Sequence, residues 1–468
     1  MNPFRVRALL AALLSCLVCL FLLPVDHAAN AAVSPATEFS YDGKNVRVKV
    51  YSRDVGEAKD HVVFKYGDLL HRATAYKTAH PEADVKVRFA MYKIGMGSYI
   101  GVDPGDSSYG YVKGAAGAHL ENLVDLIIDA AAHKVDVGFV YHKDNDPSAS
   151  VKAYIESHEN DPTVGDPSQT VGNYLDPHQI EWGGDSFEQM HSKFMTVSHY
   201  AGDDGGLVAD TVYTSTGNID DHTAAGLPIG KDWVQSGLLI NGHPELRASF
   251  EHYFDLIYNN YENQTSFRTA VRAAHAAGTL NYDDQHFSSY FYPIPEEPEG
   301  HYVYIPETGD GDPSNGNAWD PAYNPIAKYV EQMADATGDR YFKANVYHLK
   351  TDNFGHKLYD RLKEIYDSST PGLKHFRFVV KTNSYETQFP ISNFNNIGIA
   401  KYKRLTHAKD YLFALSGESK YFTVTGSANL KLDEYASKAN NSVVIKETDP
   451  AHPVYSAYKE IYEYQYAD

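Results

Sequence analysis

Two short stretches place an imidazole and an ammonium two residues apart. They are "QMHSKFMTV", with His191 and Lys193, and "LTHAKDYLFAL", with His407 and Lys409. In extended backbone, residues i and i+2 share a face, so each pair points one way. Each stretch is followed by a small-residue segment ending in asparagine: "TSTGN", with Thr216 and Asn218, and "TGSAN", with Ser427 and Asn429. If the two sets meet, two imidazoles, two ammoniums, two amides and two hydroxyls surround one cavity. Such a pocket fits a phosphodiester. Lysine and asparagine grip the non-bridging oxygens. One histidine attacks phosphorus and the other protonates the leaving oxygen. That chemistry requires no metal and no other cofactor.

A lone His-x-Lys says little in a chain with 22 histidines. A third, His348–Lys350, has no such segment behind it and reads as a strand end with a surface lysine. Either main histidine alone is equally well explained as a hydrogen-bonded residue of an ordinary sheet. Matching positions in two copies favour a site.

The elements that must carry these residues recur in the same order. The first half reads as a helix over 60–79, a strand over 84–92, a Gly-rich loop from Gly95, a helix over 118–134 and a strand, "VDVGFVYHKD". Leu120, Leu123, Ile127 and Ala130 recur at helical spacing. The second half gives a helix in "NPIAKYVEQMADATG", a strand in "RYFKANVYHLK", a helix in "GHKLYDRLKEIYDSS" and a strand in "KHFRFVVKTN". In each half a His-x-Lys strand, a hairpin, an apolar strand, a His-Pro and a terminal helix follow. In the first of these helices Leu246, Phe250, Phe254 and Ile257 form one apolar stripe. Repeated order of this kind marks a duplicated plan. Alternating helices and strands predict α/β layers with mixed sheets. "AAHAAGTLNYDDQ" suits a boundary, with domains over 33–275 and 283–468. A Pro/Gly/acid-rich insertion occupies about 291–320, and a loop of that length is usually functional or mobile.

The first 31 residues read differently. Arg5 and Arg7 precede an apolar run and then small residues through "AANAA", the pattern of a secretory signal peptide cut near Ala31 rather than a retained anchor. Both cysteines, Cys16 and Cys19, lie in it, so the mature chain has no disulfide, cysteine nucleophile or thiolate ligand. Loss of Arg5, Arg7 and Asp26 makes the net charge of −20 one unit more negative. Such a surface repels polyanions, which argues against nucleic acid as a partner. The 37 tyrosines suit cationic headgroups, carbohydrate or an amphipathic interface, and equally β-rich packing. "NQT" at Asn263 and "NNS" at Asn440 are glycosylation acceptors in a host with that chemistry.

With both motifs in view, the chain resembles the phospholipase D superfamily, whose signature, H-x-K-x4-D followed by a G-S/G-x-x-N-type segment, occurs twice. The resemblance covers nearly all of the mature chain in order of elements, and its identities sit in the two motifs. It implies two α/β/α sandwich domains related by a pseudo-twofold axis. It implies His191 as the nucleophile forming a phosphohistidine, and His407 as general acid and then base for water. Lys193, Lys409, Asn218 and Asn429 would bind phosphate, supported by Thr216 and Ser427. The chain departs from the pattern at the motif aspartate, which falls on Ser198 and Ala414. Asp410 should point to the opposite strand face. The acidic residue that orients each histidine is not evident near Ser236 or Ser442, and Asp220, Asp221, Asp433 and Glu434 are the candidates.

The leading expectation is a secreted, monomeric phosphodiesterase of phospholipase D type. It would cleave phospholipid headgroups, preferably zwitterionic or cationic, with peripheral membrane contact. The alternatives are a nuclease or general phosphodiesterase on the same fold, and a non-catalytic member that binds phosphate or lipid surfaces.

Overall fold

The computed structural model describes residues 36–52, 62–95, 99–100, 121–142, 150–182, 189–219, 235–295, 318–349, 352–368, 373–381, 400–404 and 406–466. The expected signal peptide, most of the Gly-rich loop and of the insertion, Lys350, and the candidates Asp220 and Asp221 lie outside them.

Two large mixed sheets organise the chain. The first contains β1 (Thr37–Tyr41), β2 (Lys44–Ser52), β3 (Lys86–Met91), β4 (Asp136–His142), β5 (Leu175–Ile180), β6 (Lys193–Ala201), β7 (Leu207–Ser215) and β8 (Ser236–Asn241). Their spatial order is β1-β2-β8-β7-β6-β3-β4-β5. The second contains β9 (Phe287–Tyr292), β10 (Arg340–Val346), β11 (Lys374–Lys381), β12 (Ala400–Arg404), β13 (Lys409–Leu415), β14 (Lys420–Gly426) and β15 (Asn440–Glu447). Its order is β9-β15-β14-β13-β10-β11-β12. Without the extra edge strand β1, the two orders are the same. In both, three strands run parallel (β3-β4-β5 and β10-β11-β12) and the other pairings are antiparallel. The duplicated plan is therefore a duplicated topology.

Helices α1 (Val62–Ala79), α2 (Leu123–Ala132) and α3 (Ser150–His158) cover the outer face of the first sheet. Helices α4 (Pro244–Tyr258) and α5 (Gln264–Ala276) follow that sheet. Helices α6 (Pro325–Asp335) and α7 (Asn353–Ser368) cover the outer face of the second. A short α8 (Leu432–Ala436) and a terminal α9 (Pro453–Tyr466) complete the described helices. The stripe of α4 is buried as its spacing predicts. His243 caps that helix by accepting from Leu246 N, and Pro244 opens it.

The middle layer is shared. One continuous core joins Val48, Phe194 and Ile240 of the first sheet, Phe250 and Phe267 of α4 and α5, Leu412, Val443 and Ile445 of the second sheet, and Tyr458 and Ile461 of α9. Alternation explains how β13 serves two layers. Leu412 and Ala414 face this middle core, while Tyr411, Phe413 and Leu415 face α6 and α7. Buried on both faces, such a strand reads as a nearly unbroken apolar run.

Three expectations change in detail. Of the helix expected over 118–134, Glu121–Asn122 is extended and the helix runs over Leu123–Ala132; the helix expected over 60–79 is described over Val62–Ala79. His191 and His407 precede β6 and β13 rather than lying in them, because each strand begins at its lysine. Asn440 is fully buried at the start of β15 and is no glycosylation acceptor in the folded chain, whereas Asn263 is exposed and caps α5.

Candidate active site

The same backbone clips seat both His-x-Lys pairs. Tyr92 follows β3 and donates its N–H to Ser192 O at 3.1 Å; Tyr347 follows β10 and donates to Ala408 O at 3.0 Å. Ile219 N donates to Lys93 O at 3.0 Å and Leu430 N to His348 O at 3.1 Å, so each asparagine segment runs beside the same loop. These bonds carry each histidine past the end of the regular ladder, at the edge of the sheet's central strands. A tyrosine ring lies over each lysine, with Nζ 5.2 Å from Tyr92 and 5.3 Å from Tyr347.

The first pair is oriented by the other half. His191 N donates to Ala439 O at 2.8 Å. His191 Nδ1 lies 2.9 Å from Asn440 Oδ1 and 3.2 Å from Glu434 Oε2. Both oxygens accept, so Nδ1 carries the proton and Nε2 keeps the lone pair. Lys193 Nζ donates to His191 O at 2.7 Å and Lys193 N to Asn441 Oδ1 at 3.3 Å. Burial and then the Lys193 ammonium push the His191 ring down to about 3, against the pull of Glu434.

The second pair takes its support from the first half. Thr216 O accepts from His407 Nδ1 at 2.9 Å and from Lys409 Nζ at 3.0 Å, and Lys409 Nζ also donates to His407 O at 2.7 Å. Nδ1 again carries the proton. His407 is held well below the usual imidazole range by burial, then by Lys409, Lys193 and His191. Lys193 is lowered by burial and next by Lys409. Each pair thus feels the charge of the other, and the four groups surround one centre. All four are buried.

The remaining predicted residues divide by role. Asn218 and Asn429 are buried beside the pairs. Asn429 Oδ1 accepts from His348 N at 3.1 Å. The two hydroxyls brace the wall. Thr216 Oγ1 accepts from Ser236 N at 3.0 Å, and Ser427 Oγ donates to Asn440 Oδ1 at 2.8 Å. Ser198, at the expected aspartate position, accepts from Lys86 N, and Ala414 sits in the middle core. Asp410 points away from the pairs, as its strand position predicts, and accepts from Ser236 and Thr425.

Glu434 supplies the carboxylate that motif spacing alone left open. It lies in α8, sealed with Lys431, Asp433 and Lys438 in a buried cluster whose four cross pairs run from 2.9 to 3.1 Å. Lys438, His191 and Lys431 hold Glu434 well below the usual carboxylate range, outweighing burial. Asn440 and Asn441 were not foreseen as site residues. Their signal is the doubled asparagine at the start of an apolar strand, which by sequence reads only as a glycosylation acceptor.

Twin sheets of one topology, each delivering a His-x-Lys pair and an asparagine to a common buried centre, decide the architecture. The chain has a duplicated α/β fold of the kind that the phospholipase D resemblance predicts. No sequence-family model matches the chain, and no curated protein matches it significantly. Among solved structures, phosphatidylserine synthase from Haemophilus influenzae Rd KW20 aligns over 94% of this chain and 89% of its own, with 10% identity and a TM-score of 0.48. Polyphosphate kinase from Porphyromonas gingivalis aligns over 90% of this chain with 10% identity and a TM-score of 0.46; this chain spans half of its length. Nuc from Salmonella typhimurium, described as a phospholipase D family member, aligns over 46% of this chain and 95% of its own, with 14% identity and a TM-score of 0.26. Among the described residues no cluster of three or more metal-binding side chains occurs, and no helix is long and apolar enough to cross a membrane.

Proposed function

We propose that this protein is a phosphodiesterase of phospholipase D type, which hydrolyses phospholipid headgroup diesters through a phosphohistidine. One observation carries the reading: two histidines with Nδ1 held and Nε2 carrying the lone pair share a buried centre with two lysines.

The chemistry follows from these partners. Lys193 and Lys409 neutralise the non-bridging oxygens, and the NH2 ends of Asn218 and Asn429 donate to them. His191 Nε2 attacks phosphorus, and the positive charge that grows on its ring is met by Glu434 and Asn440 behind Nδ1. His407 gives a proton to the departing oxygen as the P–O bond breaks. In the second step it takes a proton from water, whose oxygen bonds to phosphorus as the P–N bond breaks. Burial and the neighbouring lysines favour the neutral form of both rings. An anionic diester reverses the repulsion that holds His407 down, so binding and protonation of the general acid are coupled.

Glu434 favours His191 as the nucleophile, because a carboxylate behind the ring stabilises the phosphorylated, positively charged form. The acidic surface disfavours polyanionic substrates, and the leader-like first 31 residues favour export.

The decisive assay compares mature protein with its His191→Ala and His407→Ala variants. Substrates are phosphatidylcholine liposomes, single-stranded DNA and a small chromogenic diester, all in the presence of EDTA. Liposome hydrolysis lost by roughly a thousandfold in both variants is expected. DNA cleavage with untouched liposomes would replace the lipid substrate by nucleic acid. No turnover of any diester would leave a phosphate-binding module.

A further inference from the structure

The two half-sites differ in most of their neighbours. His191 is backed by Glu434 and Asn440, His407 by the carbonyl of Thr216. The strand residue opposite the lysine is Met91 in one copy and Val346 in the other. One neighbour is the same. Tyr92 and Tyr347 each stand one residue beyond the end of β3 or β10. Nζ of Lys193 lies over the Tyr92 ring at 5.2 Å, and Nζ of Lys409 over the Tyr347 ring at 5.3 Å. The same rings meet the imidazoles, with centroids 5.0 Å apart for Tyr92 and His191 and 4.5 Å for Tyr347 and His407. The backbone clips use only the N–H of these residues, which every residue but proline supplies. The clips therefore do not account for an aromatic ring at both positions.

The lysines need what a ring face gives. Both are fully buried. Each Nζ donates to the carbonyl of its own histidine at 2.7 Å, and Lys409 Nζ also to Thr216 O at 3.0 Å. Carbonyls orient an ammonium but carry no net charge. Around Lys193 stand Lys409, Lys438 and Lys93 against the carboxylate of Glu434, and burial followed by Lys409 lowers it. Lys409 faces Lys193 and His407, with Asp410 on the far face of its strand. A buried ammonium among cations gives up its proton more easily. The negative face of a phenol ring favours the charged form, most where water is excluded.

We propose that Tyr92 and Tyr347 are positioning residues whose ring faces keep the two ammoniums protonated and in place for the non-bridging oxygens of the diester. The proposal rests on the phosphodiester reading of the site. It explains how two halves with unlike supports behind their histidines present their lysines alike. The ring face carries the effect, and the phenol hydroxyl has no part in it.

The test uses the full chain with either tyrosine changed to phenylalanine or to leucine. Nuclear magnetic resonance of isotope-labelled lysine side chains reads the titration of Lys193 and Lys409. Calorimetry reads binding of inorganic sulfate, which stays fully ionised over the range scanned. Tyr92→Phe and Tyr347→Phe should titrate and bind close to the wild type, because the face remains. In Tyr92→Leu, Lys193 should lose its proton roughly one pH unit lower, and in Tyr347→Leu so should Lys409. The alkaline limb of sulfate binding should move with it, leaving binding about tenfold weaker at a pH on that limb and unchanged on its acid side. Lost packing alone would weaken binding at every pH and leave the titration in place. An unmoved lysine titration in the leucine variants therefore overturns the proposal. Phenylalanine variants that shift as far as the leucine variants would overturn it too, since the hydroxyl would then carry the effect. Should the leucine variants fold poorly, phenylalanines of increasing ring fluorination keep the shape, remove the negative face and should lower the lysine titration stepwise. Wild type that binds no sulfate would overturn the phosphate-pocket reading, while the lysine titrations would still decide the role of the tyrosines.

Discussion

At the scale of the residue, the site is set by what stands behind each histidine. Glu434→Gln should lower kcat by about 10- to 100-fold, because the amide still accepts from Nδ1 but cannot balance the ring's charge. It should also cost about 3–5 kcal/mol of stability, measured by chemical denaturation, because Lys431 and Lys438 lose half of their buried counter-charge. The histidines predict an acid limb. His191 sits at about 3 in the folded chain, below its ordinary value. Its contribution to stability is therefore present above about pH 6.5 and is lost as pH falls toward 3, with a slope of up to about 1.4 kcal/mol per pH unit. His191→Asn should flatten the loss of denaturation midpoint between pH 6 and 4. The sequence revealed the His-Lys pairs because they recur within a fixed spacing. It offered Glu434 only as one of four candidates, without a choice among them, because its contact with His191 joins residues 243 positions apart.

At the scale of the element, the asparagine segments owe their shape to close approach. A Cβ on Gly426 would come within 2.2 Å of Asn441 O, and its φ is +150°. Across the same ladder Gly426 stands opposite Ser442, while in the first copy Ser215 stands opposite Gly237. One of the two facing positions is glycine in each copy. This accounts for the Ser215-Thr216 that replaces Gly426-Ser427 in the first motif. Gly426→Ala should cost about 2–4 kcal/mol in thermal or denaturant unfolding and displace Ser427 from Asn440 and Asn441. The strands and helices themselves were legible from period alone: the α4 stripe is buried as read, and β13 shows as an apolar run. Element ends were less so. The histidines fall outside the strands because the clips from Tyr92 and Tyr347, not side-chain alternation, end the ladders there.

At the scale of the whole molecule, the duplicated plan is readable from repeated order, and the strand orders agree with it. The shared middle core was not readable, because the stripes on α4, α5 and α9 do not say which sheet will cover them. Two halves with separate cores would unfold separately. Here one core and one site span both, through Ala439, Asn440, Asn441 and Thr216. Scanning calorimetry of the full chain should show one cooperative transition, with calorimetric and van't Hoff enthalpies in agreement. Two resolved transitions would contradict this.

The crossed supply of parts has a consequence for descent. A duplicated gene usually leaves one copy free to drift, since the other preserves the function. That freedom is absent where His191 is aimed by Asn440 and His407 by the carbonyl of Thr216. A change at Asn440 or at Thr216 is felt first by the histidine of the other half.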